Sequence, residues 1–180
     1  MEALLILLIL IAQIGLIVVL ITIGYFLFNG VFGVPWVRTR ASLTDEMLRL
    51  AELQPGEKVV DFGSGDGAMV IQAARDHGAY GYGIERLRLL VWLSRYLARR
   101  YGVEDRTEFV HGDMFKEKPP QADVVMSYLF KEVNERLEPI LLEHYPSGTR
   151  VVARTFSFPG LKHVTSKTIQ SETIHLYETP

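Results

Sequence analysis

The sequence predicts an α/β fold: a doubly wound, mostly parallel sheet with an antiparallel C-terminal hairpin, preceded by one transmembrane helix. Three observations carry that expectation. From residue 58 onward, short valine-rich segments alternate with helix-spaced ones, the pattern of parallel strands joined by crossover helices. The tail breaks the alternation with two β-rich segments in succession, so a strand there runs antiparallel. The start is a long run without charge.

From Ala3 to Phe28 no residue is charged and only Gln13 and Thr22 are distinctly polar, which exceeds the ~20 residues that cross a bilayer as a helix. A cleaved signal peptide wants a basic start and a shorter apolar stretch, and this chain begins with Glu2. A core helix with no polar face has nothing in so small a domain to surround it. The expected organisation is therefore an anchor over 1–30, a linker or site-covering segment over 31–41, and an α/β domain over 42–180. Arg38, Arg40 and Arg49 follow the apolar run and no lysine or arginine precedes it, so the amino terminus is expected outside and the domain in the cytoplasm. Tyr25, Phe26, Phe28, Phe32 and Trp36 gather toward that boundary, where aromatic rings favour headgroups; Trp36 and Arg38 to Arg40 fit either lipid or the covering of a ligand site. Asn29, Gly30, Gly33 and Pro35 are expected to break the helix.

Within the domain, Ser42 or Thr44 is the expected cap of a helix through Glu46, Met47, Leu48, Leu50 and Leu53, before the Pro55-Gly56 turn. Lys58 to Phe62 reads as a strand and Met69 to Asp76 as a helix ending at Gly78. The unit repeats with Tyr80 to Glu85 as a strand, Leu87 to Tyr101 as a helix closed by Gly102, and Thr107 to His111 as a strand. Ala122 to Tyr128 and Arg150 to Thr155 are the fourth and fifth strands, with a helix from Glu132 to Glu143 between them. His163 to Ile169 and Thr173 to Tyr177 form the closing hairpin.

With 180 residues, 48% of them hydrophobic, the chain has room for one core-forming domain beside its apolar start. A net charge of −2 with interspersed signs leaves no electrostatic footprint for nucleic acid. The chain has no cysteine, which removes disulfides, thiolate nucleophiles and cysteine zinc sites and fits a reducing cytoplasm. His77, His111, His144, His163 and His175 show no ligand-pair spacing, so no metal is expected. Arg86, Arg88, Arg95, Arg99 and Arg100 make the second helix of the alternation basic, a solvated face with membrane-surface contact as the alternative.

The decisive stretch is Val59-Val60-Asp61-Phe62-Gly63-Ser64-Gly65-Asp66-Gly67-Ala68, where the first strand turns into a helix. Ligands bind at such carboxyl ends of parallel strands. Gly63, Gly65 and Ala68 also satisfy a dinucleotide fingerprint, with Glu85 placed to hold ribose hydroxyls. Charge separates the options. Asp61 and Asp66 would repel a pyrophosphate but attract the sulfonium and ammonium of S-adenosyl-L-methionine, which carries no phosphate.

Asp61-Phe62-Gly63-Ser64-Gly65-Asp66-Gly67 resembles the first motif of class I S-adenosylmethionine-dependent methyltransferases, with a Rossmann-like fold. Glu85 resembles that family's ribose-binding acid, and Gly112-Asp113-Met114 its adenine-contacting turn. The resemblance implies that Asp61 and the Gly63, Ser64 and Gly65 backbone hold the methionine part, Glu85 the ribose, and Asp113 with Met114 the adenine.

Ser127-Tyr128-Leu129-Phe130-Lys131-Glu132-Val133-Asn134 lacks the Asn/Asp-Pro-Pro-Tyr/Phe run of many nucleic-acid and glutamine N-methyltransferases. It is similar to the Tyr-Leu-x-x-Glu-Val-Asn signature of the ATP synthase c-subunit lysine methyltransferase family and its single-domain prokaryotic relatives, which often carry an amino-terminal membrane segment. That family usually has Val-Pro-Thr-Pro before its first helix, implying that Thr39 lines the cofactor pocket; here Val37-Arg38-Thr39-Arg40 keeps the threonine and replaces both prolines. The expected activity is protein-lysine N-methylation at the membrane. Tyr128 would guide the amine with ring and hydroxyl, while Glu132 and Asn134 position it. A strand-end aromatic and a helix cap are the structural alternative for these three. The competing functions are methylation of a lipid or small molecule, and cofactor binding without catalysis.

Overall fold

The computed structural model describes residues 2–32 and 39–180. Its first unit is one helix, α1 (Glu2–Phe32). The segment Leu4–Gly24 is long and apolar enough to cross a membrane, with a mean hydropathy of 3.3, a test that a signal sequence also passes. Asn29 and Gly30 do not end the helix, contrary to the sequence expectation. Each costs a helix at most about 1 kcal/mol, too little to stop a run this long. Gly33, Pro35, Trp36 and Arg38 lie outside the described residues, as do the side chains of Tyr25, Phe26, Phe28 and Phe32.

The second unit carries a seven-stranded sheet: β1 (Lys58–Phe62), β2 (Tyr80–Glu85), β3 (Thr107–His111), β4 (Val124–Ser127), β5 (Arg150–Arg154), β6 (Lys162–Ile169) and β7 (Glu172–Glu178). The spatial order is β3-β2-β1-β4-β5-β7-β6. Pairing is parallel from β3 through β5, and β7 is antiparallel to both of its neighbours, so one strand alone is reversed.

The helices are α2 (Ala41–Leu50), α3 (Ala68–His77), α4 (Arg88–Arg100) and α5 (Lys131–His144), with a short 3-10 turn at Glu104–Arg106. Strand alternation decides which helix packs where. Val59, Val124, Met126 and Val152 point to the face that buries Leu43, Met47 and Leu48 of α2 and Met69 and Ala73 of α3. Val60, Phe62, Val125, Val151 and Ala153 point to the opposite face, against Leu137 and Leu141 of α5. A third cluster joins Val70, Ile71 and Ala74 of α3 to Val91 and Ala98 of α4 and Phe109 of β3.

The start of α2 departs from expectation. Neither Ser42 nor Thr44 caps it; Arg40 holds the N-cap position without a side-chain capping bond, and Thr44 is buried in the first turns. Burial of Leu43, Met47 and Leu48 sets the helix phase, and capping yields to it. The other end stops at Leu50 rather than Leu53. Leu53 N–H donates to Leu48 O and Glu52 N–H to Arg49 O, with Glu52 at φ 49 and Leu53 buried, a Schellman closure without glycine.

Candidate active site

The site forms because backbone bonds stitch together the carboxyl ends of three strands. Gly63 and Ser64 N–H groups both donate to Ile84 O at 2.9 Å, and Gly112 N–H donates to Glu85 O at 3.0 Å. The ends of β1, β2 and β3 therefore carry the glycine loop, Glu85 and the Gly112-Asp113-Met114 turn side by side.

The loop needs its glycines for conformation and space. Gly63, Gly65 and Gly67 have φ of 80, 56 and 77, a region that side chains rarely adopt. A Cβ at Gly67 would stand 2.5 Å from the Phe109 ring and 2.7 Å from Ser94 Cβ. At Gly63 it would meet Leu129 Cδ2 at 3.2 Å and Met114 Cε at 3.3 Å, so Met114 and Leu129 lie over the loop.

Asp61 is 1% exposed, and its Oδ1 is buried without a hydrogen-bond partner. Burial raises its pKa to about 8, reinforced by the negative charges of Glu85 and Asp66. Ser64 Oγ is likewise buried and unpartnered. An orphaned carboxyl oxygen among further acids suits a cationic ligand that donates hydrogen bonds, and it opposes a phosphate. The residues present thus fit S-adenosyl-L-methionine better than a dinucleotide.

Glu85 accepts the Gly65 N–H at 3.0 Å and the Leu87 N–H at 2.8 Å, one on each oxygen. Those bonds fix the carboxylate at the end of β2, and its remaining lone pairs can still accept hydroxyl donors. Asp113 Oδ1 accepts the Phe115 N–H at 3.1 Å, and its carbonyl accepts those of Lys116 and Glu117, which sets the turn that carries Met114. Thr39 is buried just before α2. The residues after it are tied to α3 by Gln72 Nε2 donating to Ala41 O at 3.0 Å, and to the β6–β7 turn by Arg40 Nη1 donating to Gln170 Oε1 at 3.2 Å.

The other half of the site stands at the ends of β4 and β5. Asp61 pairs with Met126, Met126 with Val152, and Ser127 with Ala153, so Tyr128 and Arg154 leave the ends of neighbouring strands. Tyr128 is half-buried against the α2 face. The Arg154 guanidinium lies over its ring and pairs with Glu172 Oε1 at 2.5 Å, while Nε and Nη1 are buried without partners. The next residue, Thr155, has φ 70, a strained conformation for a β-branched side chain.

Asn134 is fully buried on the opposite face, with Oδ1 accepting from Ser127 Oγ at 2.9 Å and Nδ2 donating to Phe156 O at 3.1 Å. Glu132 is exposed in the first turn of α5. The structure therefore gathers Asp61, Gly63, Ser64, Gly65, Glu85, Asp113 and Met114 around one loop. It sets Tyr128 just past the end of β4 under Arg154, Asn134 buried against Ser127 and Glu132 at the surface. Sequence reasoning did not single out Arg154, which lies within the fifth strand, and met Leu129 only as part of the Tyr-Leu-x-x-Glu-Val-Asn resemblance.

Residues 61–165 match the family described as the ANTKMT methyltransferase domain. A protein-lysine N-methyltransferase of Saccharolobus islandicus is 35% identical over 130 residues, spanning 71% of this chain and 80% of its own length. The ATP synthase c-subunit lysine N-methyltransferase of Mus musculus is 34% identical over 125 residues, spanning 69% of this chain and 50% of its own, so the match takes in half of that relative. Among solved structures, an RNA methyltransferase from Salinibacter ruber in complex with S-adenosyl-L-homocysteine has a TM-score of 0.78 at 39% identity, covering 80% of this chain and 94% of its own.

Proposed function

The chain belongs to the ANTKMT methyltransferase family and is an S-adenosylmethionine-dependent methyltransferase, and from that premise we propose that it methylates lysine side chains of a protein at a membrane. The observation that carries the reading is the Arg154 guanidinium stacked on the Tyr128 ring, just past the end of the strand that pairs with the one carrying Asp61.

When bound, the cofactor supplies an activated methyl group on a cationic sulfur. Asp61 would accept hydrogen bonds from its ammonium end, Glu85 from its ribose hydroxyls, and the Asp113 turn would present Met114 to its adenine. Ser64 and the Gly63 and Gly65 backbone would line the methionine part, and Thr39, buried just before α2, would cover it. Methyl transfer to an amine needs alignment and exclusion of water more than a dedicated base. Tyr128 offers a ring face and hydroxyl that guide the amine in line with the methyl group. Arg154 beside it disfavours a second cation, so the acceptor lysine arrives uncharged, its proton left to solvent. Asn134 acts by holding the β4 end, α5 and the segment after β5 together through Ser127 and Phe156. Glu132, on the rim, meets the polypeptide that carries the lysine.

The membrane part of the proposal rests on the apolar helix, and the charge asymmetry after it supports an amino terminus outside and a domain in the cytoplasm. The boundaries 1–30, 31–41 and 42–180 belong to the same proposal, with the helix itself reaching Phe32.

Incubating the full chain with methyl-labelled cofactor and separated membrane protein, lipid and RNA fractions tests this. Label should be recovered as methyl-lysine after protein hydrolysis. Label confined to the lipid extract, or to RNA as the Salinibacter relative's name suggests, removes the lysine reading. Tight cofactor binding with no transfer to any fraction removes catalysis altogether.

A further inference from the structure

The outward side of α4 is not an ordinary solvated helix face. Leu89, Trp92 and Tyr96 are 75%, 63% and 51% exposed, and their i, i+3, i+7 spacing puts them on one side of the helix. The Trp92 and Tyr96 rings stack with centroids 5.9 Å apart and planes 9° from parallel, so they make one flat aromatic ridge. Helical periodicity borders that ridge with Arg88 on one flank and Arg100 on the other, both exposed. The helix contains no acidic residue. Arg95 is committed to Phe109 O and Arg99 lines a hollow with Glu104 and Glu108, while Arg88 and Arg100 are the exposed cations that flank the ridge.

Exposed tryptophan, tyrosine and leucine between arginines match what lies flat in the headgroup layer: apolar and amphipathic rings enter the acyl boundary while guanidinium groups meet lipid phosphates. An acidic protein could also take up these side chains, and it is separated from lipid by the experiment below. We propose that α4 is a membrane-docking surface that lays the Leu89-Trp92-Tyr96 ridge onto anionic lipid. The inference shares with the proposed function only its location at a membrane, and it stands whether or not lysine is the acceptor.

The chain has two tryptophans, Trp36 and Trp92, so the Trp36→Phe variant of the full chain leaves Trp92 as its sole reporter. That variant is placed in phosphatidylcholine bilayers and in bilayers containing phosphatidylglycerol. In the anionic bilayer Trp92 emission should shift to the blue, lose access to aqueous iodide and be quenched by lipids brominated on the acyl chain. Adding Arg88→Gln and Arg100→Gln should lower the docked-to-free ratio about twenty-five-fold, from about fivefold per arginine. Both variants must keep the wild-type far-ultraviolet circular dichroism and unfolding midpoint, which shows that they are folded. Equal iodide access in both bilayers overturns the proposal. So does shielding in detergent with a dimer in sedimentation, which gives the ridge to a second copy, or shielding only after an acidic protein is added. Release of the chain by alkaline carbonate would remove the anchor reading without touching this result, since quenching by brominated lipid is scored separately.

Discussion

The Arg154 guanidinium carbon stands 3.9 Å from the centre of the Tyr128 ring. Glu172 holds one of its nitrogens, and two more are buried with no partner. Leaving charged donors unsatisfied inside a fold is costly, and such groups collect where a ligand completes them. A lysine in place of this arginine keeps the charge but loses the planar fork and the stacking. Arg154→Lys should therefore raise KM for the protein acceptor about ten- to a hundredfold, as expected for losing a hydrogen bond to a charged group. Cofactor affinity should stay unchanged; steady-state kinetics against both substrates separates the two.

Asn134 acts from a different position. Its amide ties Ser127 at the end of β4 to Phe156 beyond β5, and it has no exposed atom to offer a substrate. Asn134→Ala leaves a buried hydroxyl and a carbonyl without partners, a loss of about 1–3 kcal/mol measurable by denaturant unfolding. Turnover should fall with it, because Tyr128 follows Ser127 directly. An unchanged midpoint with lost turnover would instead make Asn134 a direct contact of the acceptor.

Asp61 makes cofactor binding a proton-linked event. Burial, then Glu85, then Asp66 raise its pKa from 3.8 to about 8, so the folded protein without ligand keeps the carboxyl protonated where the unfolded chain ionises it. Its contribution to stability is full below 3.8 and is lost as pH rises toward about 8. A cationic ligand favours the ionised form and reverses that preference. Near pH 7, calorimetry in buffers of different ionisation heat should find about one proton released per cofactor bound. Affinity should strengthen as pH approaches 8, and Asp61→Asn should abolish the release. Binding without proton release in the wild-type chain would separate Asp61 from the cofactor.

The sequence was most readable where one period governs a segment. Lys58–Phe62, Tyr80–Glu85 and Thr107–His111 were bounded correctly because each is a short β-rich run between glycine or helix-closing signals. The glycine loop was legible because glycine adopts left-handed turns such as those at Gly63, Gly65 and Gly67 without the steric cost that side chains bring. Tertiary choices were not readable. Nothing local to Thr44 says that it faces the core rather than capping a helix. Nothing in the hairpin says that β7 lies against β5 and leaves β6 at the edge. Arg154 became visible only when the register set it beside Tyr128.

The two outer glycines of the loop should fail in different ways, which tests whether the loop is a ligand cradle or only a tight turn. At Gly67 an added methyl meets the Phe109 ring and Ser94 at under 3 Å, and both are buried in the α3–α4 cluster with no room to retreat. Left-handed strain of about 1–2 kcal/mol and overpacking of about 1–3 kcal/mol then add, so Gly67→Ala should lose about 2–5 kcal/mol of stability. At Gly63 the backbone strain is the same, but the neighbours are the ends of Leu129 and Met114, flexible groups at 3.2 and 3.3 Å that can shift. Gly63→Ala should cost only about 1–2 kcal/mol in unfolding, yet it pushes both side chains into the space above the loop. Cofactor affinity should therefore collapse in Gly63→Ala at temperatures where the variant is still folded, whereas Gly67→Ala should bind normally until it melts. Equal cofactor affinity in folded Gly63→Ala and wild type would mean that the space over Gly63 is packing alone.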